Sequence, residues 1–220
     1  PLLTFANDQN NLIVADNLAK YYAIDIKTGE LLWTKNNIAP FNSQIKIYKN
    51  KFFLTDLENI LRCYSIKDGK ELWNIKTDTA FIKSQKKLSI IIFEEKVFFN
   101  NSIGDISAID VDTGKLLWQI PTQDSSIYES AFQLKTSDLI VFNKSILFSN
   151  NKNEFFSIDV NTGALIWKQK INSVMRPTAI DNLVFTVSIE GFLVIIESQT
   201  GIIVRITNIF DRIKEKKRSK

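Results

Sequence analysis

One cysteine, Cys63, stands among 220 residues, which excludes an internal disulfide and any cluster of thiolates. Its place inside a repeated segment reads as a small buried hydrophobe rather than a reactive thiol. Long hydrophobic runs are also missing. The longest, such as LSIIIF (residues 88–93), fall far short of the roughly 18–20 apolar residues that a membrane-spanning helix needs. Helical periodicity of useful length is absent, and so is histidine. The sequence opens at Pro1 without the basic, apolar, small-residue pattern of a secretion signal, so any targeting segment is expected to have been removed or to lie outside it. Charge of one sign is scarce as well. The 28 Lys and Arg residues exceed the 24 Asp and Glu by four, and much of that excess sits in RIKEKKRSK (212–220). A basic run with no interleaved aromatics reads as a charged connector or tail over 211–220, and nucleic acid is not an expected partner.

What is present is a repeat. With 45% apolar residues the chain has material for one sizeable domain over 1–220, and that material is periodic. AIDVDTGKLLW (108–118) has close relatives at AIDIKTGELLW (23–33), CYSIKDGKELW (63–73) and SIDVNTGALIW (157–167), with a divergent copy in ESQTGIIVR (197–205). The turn glycines Gly29, Gly69, Gly114, Gly163 and Gly201 are spaced 40, 45, 49 and 38 residues apart, the period of a supersecondary array. Trp33, Trp73, Trp118 and Trp167 each follow a glycine by four residues and are all the tryptophans in the chain. In the fifth copy Arg205 takes that position.

A second turn is marked ten residues before each glycine, at Ala19, Asn59, Gly104, Asn153 and Gly191, where four of the five residue types tolerate positive φ. Between the turns lie short segments rich in β-branched and aromatic residues, among them FFLTD (52–56), KVFFN (96–100), SILFS (145–149) and LVFTV (183–187). A longer loop leads into a further strand such as IKIY (45–48) or DLIVF (138–142). Each repeat therefore reads as a four-stranded antiparallel meander. Sheets apolar on both faces are stable only when stacked radially, so the expected architecture is an all-β propeller with about five blades.

Within the motif, the small residue six before the glycine (Ala23, Cys63, Ala108, Ser157) is expected to leave room for the tryptophan of a neighbouring blade. The acidic residue four before it (Asp25, Asp110, Asp159, Glu197) is expected to accept hydrogen bonds from turn amides, with the glycine supplying positive φ. Recurrence in nearly every copy makes these acids turn staples, since a catalytic site occurs once and a staple occurs per blade. Asn100-Asn101 and Asn150-Asn151 read likewise as turn formers.

The pattern A-x-D-x-x-T-G-x-x-x-W resembles the tryptophan-docking motif of the quinoprotein-type, PQQ-like β-propeller repeat family. The resemblance runs through nearly the whole chain. WD repeats would show Trp-Asp and Gly-His pairs and kelch repeats paired glycines, and none of these occurs. The resemblance implies a ring of about eight blades, of which this chain would be part; a closed five-bladed ring is the alternative.

The family contains both redox enzymes and non-catalytic scaffolds. An enzyme of this kind would carry pyrroloquinoline quinone and calcium, with a catalytic acid and, in many members, two adjacent cysteines. The lone Cys63 forbids that pair, and no nonrepeating cluster of acids and amides is evident. The resemblance is strongest to the lipoprotein scaffolds of the outer-membrane barrel-assembly machinery. It implies no cofactor, no metal and no catalytic residue, protein partners within that machinery, a periplasmic location at the outer membrane of a Gram-negative bacterium, and an anchor outside this chain. Candidate partner contacts are Arg176 in VMRPT (174–178), and Tyr128 and Phe132 in the insertion TQDSSIYESAF (122–132).

Overall fold

A computed structural model describes residues 3–78, 86–122, 136–150 and 153–210. These hold twenty strands and no helix, divided between two compact units, residues 1–134 and 135–220. Each sheet is a four-stranded antiparallel meander in sequence order.

Three sheets lie in the first unit. The first blade is β1 (Leu3–Asn7), β2 (Asn11–Asp16), β3 (Lys20–Asp25) and β4 (Leu31–Asn36). The second is β5 (Lys46–Tyr48), β6 (Lys51–Thr55), β7 (Ile60–Ser65) and β8 (Glu71–Lys76). The third is β9 (Ile90–Phe93), β10 (Lys96–Asn100), β11 (Ile106–Asp110) and β12 (Leu116–Ile120). The second unit holds a fourth blade, β13 (Ile140–Phe142), β14 (Ser145–Ser149), β15 (Phe155–Asp159) and β16 (Leu165–Gln169). It also holds a fifth, β17 (Thr178–Ile180), β18 (Leu183–Val187), β19 (Phe192–Glu197) and β20 (Ile203–Asn208).

The continuous apolar stretches are explained by sheets covered on both faces. In the second blade, Phe52, Leu54 and Tyr64 pack on Ile13, Ala15, Tyr21 and Ala23 of the first. The alternate residues Phe53, Leu61 and Cys63 pack on Ile90, Val97, Phe99 and Ile109 of the third. Phe52 and Phe53 are both fully buried, each worth roughly 1.5–3 kcal/mol of transfer free energy. In the second unit, Leu147, Phe155 and Trp167 of the fourth blade meet Val184, Val194 and Ile196 of the fifth.

One device recurs in all five sheets. The register between the third and fourth strands slips by one residue, between Ala23 and Ile24 in the first blade and between Ile195 and Ile196 in the last. The unpaired residue is Leu32, Leu72, Leu117, Ile166 or Val204, each exposed. A bulge re-aims the side chains after it. Two residues that simple alternation would place on one face, such as Glu71 and Trp73, therefore point to opposite faces, one toward the preceding blade and one toward the next.

The second set of turns is left-handed in every copy, with φ of 66° at Ala19, 57° at Asn59, 95° at Gly104, 63° at Asn153 and 88° at Gly191. Ala19 is the exception in residue type but not in conformation.

Candidate functional site

The repeated motif is where neighbouring sheets are joined. The Trp33 indole Nε1 donates to the Ile66 carbonyl at 2.9 Å, Trp73 Nε1 to Val111 at 3.0 Å, and Trp167 Nε1 to Ser198 at 2.8 Å. Each acceptor lies three residues before the turn glycine of the following blade. The ring then covers that glycine. A Cβ at Gly69, Gly114 or Gly201 would fall 2.8, 2.7 or 2.6 Å from ring atoms of Trp33, Trp73 or Trp167. The glycine thus serves two needs, a positive φ (67°, 70° and 75° at these three positions) and the close approach of an indole. Gly29 and Gly163 share the conformation, at 74° and 72°.

The tryptophans are less enclosed than the motif suggested. Trp167 is buried, at 7% exposure, whereas Trp33, Trp73 and Trp118 are half-buried because their outer edges follow an exposed strand. The small residue six before the glycine also has a different task from the one expected. Ala23, Cys63, Ala108 and Ser157 are the cross-strand partners of Trp33, Trp73, Trp118 and Trp167 in their own sheets. They make room for the tryptophan of the same blade. The fifth copy fits this logic, since Ile195 is opposite Arg205.

The acids four before the glycines are tied to their turns. Asp25 Oδ1 accepts from the amides of Lys27 and Thr28, both at 2.8 Å. Asp110 Oδ1 accepts from the Thr113 amide at 2.8 Å and its hydroxyl at 2.6 Å, and Asp159 Oδ1 from the same two groups of Thr162, each at 2.9 Å. Glu197 repeats the arrangement with Thr200, at 2.7 and 2.6 Å. These bonds favour the ionised form. The Thr28 amide leads in holding Asp25 below the ordinary carboxylate value, and the Thr113 and Thr200 side chains lead for Asp110 and Glu197. For Asp159, burial pushes upward and the turn donors outweigh it. Asn101 and Asn150 staple the other turns, Asn101 Oδ1 accepting from Ile103 and Asp105 amides and Asn150 Oδ1 from the Glu154 amide.

Arg62 and Asp56 form a buried ion pair that the exposed Glu71 joins from the strand edge. Arg62, 7% exposed, donates from Nε to Asp56 Oδ2 at 2.9 Å and from Nη1 to Glu71 Oε2 at 2.7 Å. Burial lowers the pKa of its guanidinium, and the two carboxylates more than restore it. This is a paired charge set between two sheets, with no open nucleophile or general base.

Cys63 is fully buried, and desolvation pushes its thiol up to about 12, so it is no thiolate. Among the described residues, no group of three or more acids or Cys is placed to hold a metal ion. No helix among the described residues is long and apolar enough to cross a membrane.

Of the candidate partner contacts, Arg176 is exposed in the loop between β16 and β17, beside exposed Val174 and Met175. Tyr128 and Phe132 lie outside the described residues, as does the basic segment 211–220. Sequence reasoning missed the bulges. Their signal is the run of adjacent apolar residues before three of the four tryptophans, LLW or LIW, which breaks the alternation of a strand; at Trp73 the run is ELW.

Residues 3–207 match the family model described as outer membrane protein assembly factor BamB. The chain belongs to the BamB family. The outer membrane protein assembly factor BamB of Shewanella oneidensis is 25% identical over 159 residues, 62% of this chain and 39% of that protein. The crystal structure of BamB from Moraxella catarrhalis superposes with a TM-score of 0.79 at 16% identity, over 94% of this chain and 64% of that one. A europium-containing methanol dehydrogenase reaches 0.73 at 14% identity, over 94% of this chain and 50% of its own. The chain thus spans about two fifths of the curated BamB and somewhat under two thirds of the solved one. The structural likenesses show the fold, a β-propeller of four-stranded blades.

Proposed function

We propose that the protein is a non-catalytic propeller scaffold, an accessory subunit in outer-membrane β-barrel protein assembly, acting in the periplasm at the outer membrane. The observation that carries this reading is the use made of the repeated acids. Asp25, Asp110, Asp159 and Glu197 each accept hydrogen bonds from their own turns, so the motif's chemistry is spent on holding blades in place. The family match points the same way. That match runs through both compact units, which supports reading the five sheets as blades of one propeller domain, part of a larger ring.

The dehydrogenase among the structural neighbours supplies the competing reading, a quinoprotein enzyme. The two are separated by assaying dye reduction with pyrroloquinoline quinone, calcium and a range of alcohols. The scaffold reading expects no turnover above that of heat-inactivated protein. Sustained, cofactor-dependent turnover would replace it with the enzyme.

A further inference from the structure

The first blade carries a copy of the surface on which tryptophans dock in the second, third and fifth. Its turn has the same backbone bonds. The Ile26 amide donates to the Asn10 carbonyl and the Gly29 amide to the Asp25 carbonyl, both at 2.9 Å, as Ile66 does to Asn50 and Gly69 to Ser65 at the same distance in the second blade. Ile26 thus holds the position from which Ile66, Val111 and Ser198 offer their carbonyls to Trp33, Trp73 and Trp167. Of the five turn glycines, however, Gly29 alone is exposed, and a Cβ there would have nothing within 4 Å.

The difference runs down the whole sheet. Counting back 24, 17, 5 and 3 residues from the turn glycine gives Ile45, Phe52, Tyr64 and Ile66 in the second blade, and Ile90, Val97, Ile109 and Val111 in the third. All eight are buried, the first four against the first blade and the others against the second. The same count in the first blade gives Phe5, Leu12, Ile24 and Ile26. Phe5 is 70% exposed and Ile26 45%, while Leu12 and Ile24 are half-buried. A contiguous apolar column of this kind marks a contact surface rather than a solvated face.

We infer that this face docks a further blade of the same repeat, supplied from outside residues 1–220, whose outer strand lays a tryptophan over Gly29 with Nε1 donating to the Ile26 carbonyl. Three filled copies of the surface in this chain argue for that occupant, since the guest at each is an indole from the neighbouring sheet. A lone tryptophan side chain would cover the glycine and leave Phe5 and Leu12 in water, so a whole sheet is required. The chain's own repeats do not supply it. Trp33, Trp73 and Trp167 are engaged at the second, third and fifth turns. Trp118 stands in the copy before Gly163, and the fifth copy has Arg205 in the tryptophan position. A ring closed at five blades would bring Arg205, not an indole, to Gly29. That the guest blade belongs to one ring with these five rests on the larger-ring reading above.

The test places a photoreactive side chain beside the turn, in the protein as its host expresses it. Glu30→p-benzoylphenylalanine follows Gly29 at an exposed position; Lys70→p-benzoylphenylalanine, equally exposed after Gly69, is the control that should capture the Trp33 strand, residues 31–36. Cross-linked peptides are sequenced by mass spectrometry after irradiation. Position 30 is expected to capture a peptide of the same polypeptide, outside residues 1–220, with a tryptophan four residues after a glycine. With the control cross-linked, capture of residues 203–208, of a peptide without that tryptophan, of another protein, or of nothing would each overturn the proposal. A tryptophan-free blade of the same polypeptide would do so while leaving the larger ring standing. None of these outcomes bears on the dye-reduction assay of the scaffold reading, so the two fail separately.

Discussion

Gly114 and Gly29 adopt the same backbone conformation, at φ of 70° and 74°, in different surroundings. A Cβ at Gly114 would fall 2.7 Å from the Trp73 ring, whereas nothing lies within 4 Å of one at Gly29. Gly29→Ala should therefore cost only the left-handed backbone term, about 1–2 kcal/mol. Gly114→Ala should cost roughly a further 1–3 kcal/mol by displacing the indole. Urea unfolding of the two variants measures the difference, and equal losses would mean that the indole contact contributes nothing. The turn acids give a second expectation at this scale. Their values are depressed from the ordinary 3.8 of Asp and 4.5 of Glu. A depressed folded value means that stability is fully present above the unfolded value and is lost as pH falls through the folded one. The thermal midpoint should hold steady from neutrality to about pH 5 and drop below about pH 4. Asp110→Asn should melt lower than the native protein at pH 7, and the two should converge in acid, where Asp110 is protonated.

At the scale of elements, much was legible because strands announce themselves through composition and punctuation. KVFFN, SILFS and LVFTV correspond residue for residue to β10, β14 and β18. The turns were legible through glycine and asparagine, and Ala19 adopts the same left-handed conformation because the repeat geometry overrides its own preference. Less legible were relations between strands. The bulge beside each tryptophan is a matter of register, and register decides which face Glu71 and Trp73 share with whom. For the same reason Arg62 looked like an ordinary strand residue; its two carboxylates lie six residues back and nine ahead and converge only once the meander has formed. Breaking that cluster has a predictable asymmetry. Arg62→Ala leaves Asp56 buried without its cation and should cost about 3–5 kcal/mol. Glu71→Leu leaves the Arg62–Asp56 pair and installs the residue type found at Leu31, Leu116 and Leu165, so it should cost about 1 kcal/mol or less. Chemical denaturation of both variants distinguishes them, and equal costs would show that burial of Asp56 is not what makes Arg62 necessary.

At the scale of the whole molecule, repetition is what ties sequence to role. A motif written five times builds joints, and the residues free to differ lie in loops, such as Arg176. The scaffold reading itself is tested most directly in the host envelope. The protein would be affinity-tagged, cross-linked in intact cells and recovered from solubilised outer membrane, and its cross-linked partners identified by mass spectrometry. The expected result is enrichment of the central barrel-assembly subunit over an untagged control. Recovery without that subunit, at a cross-linking yield that captures other envelope complexes, would contradict a role in barrel assembly.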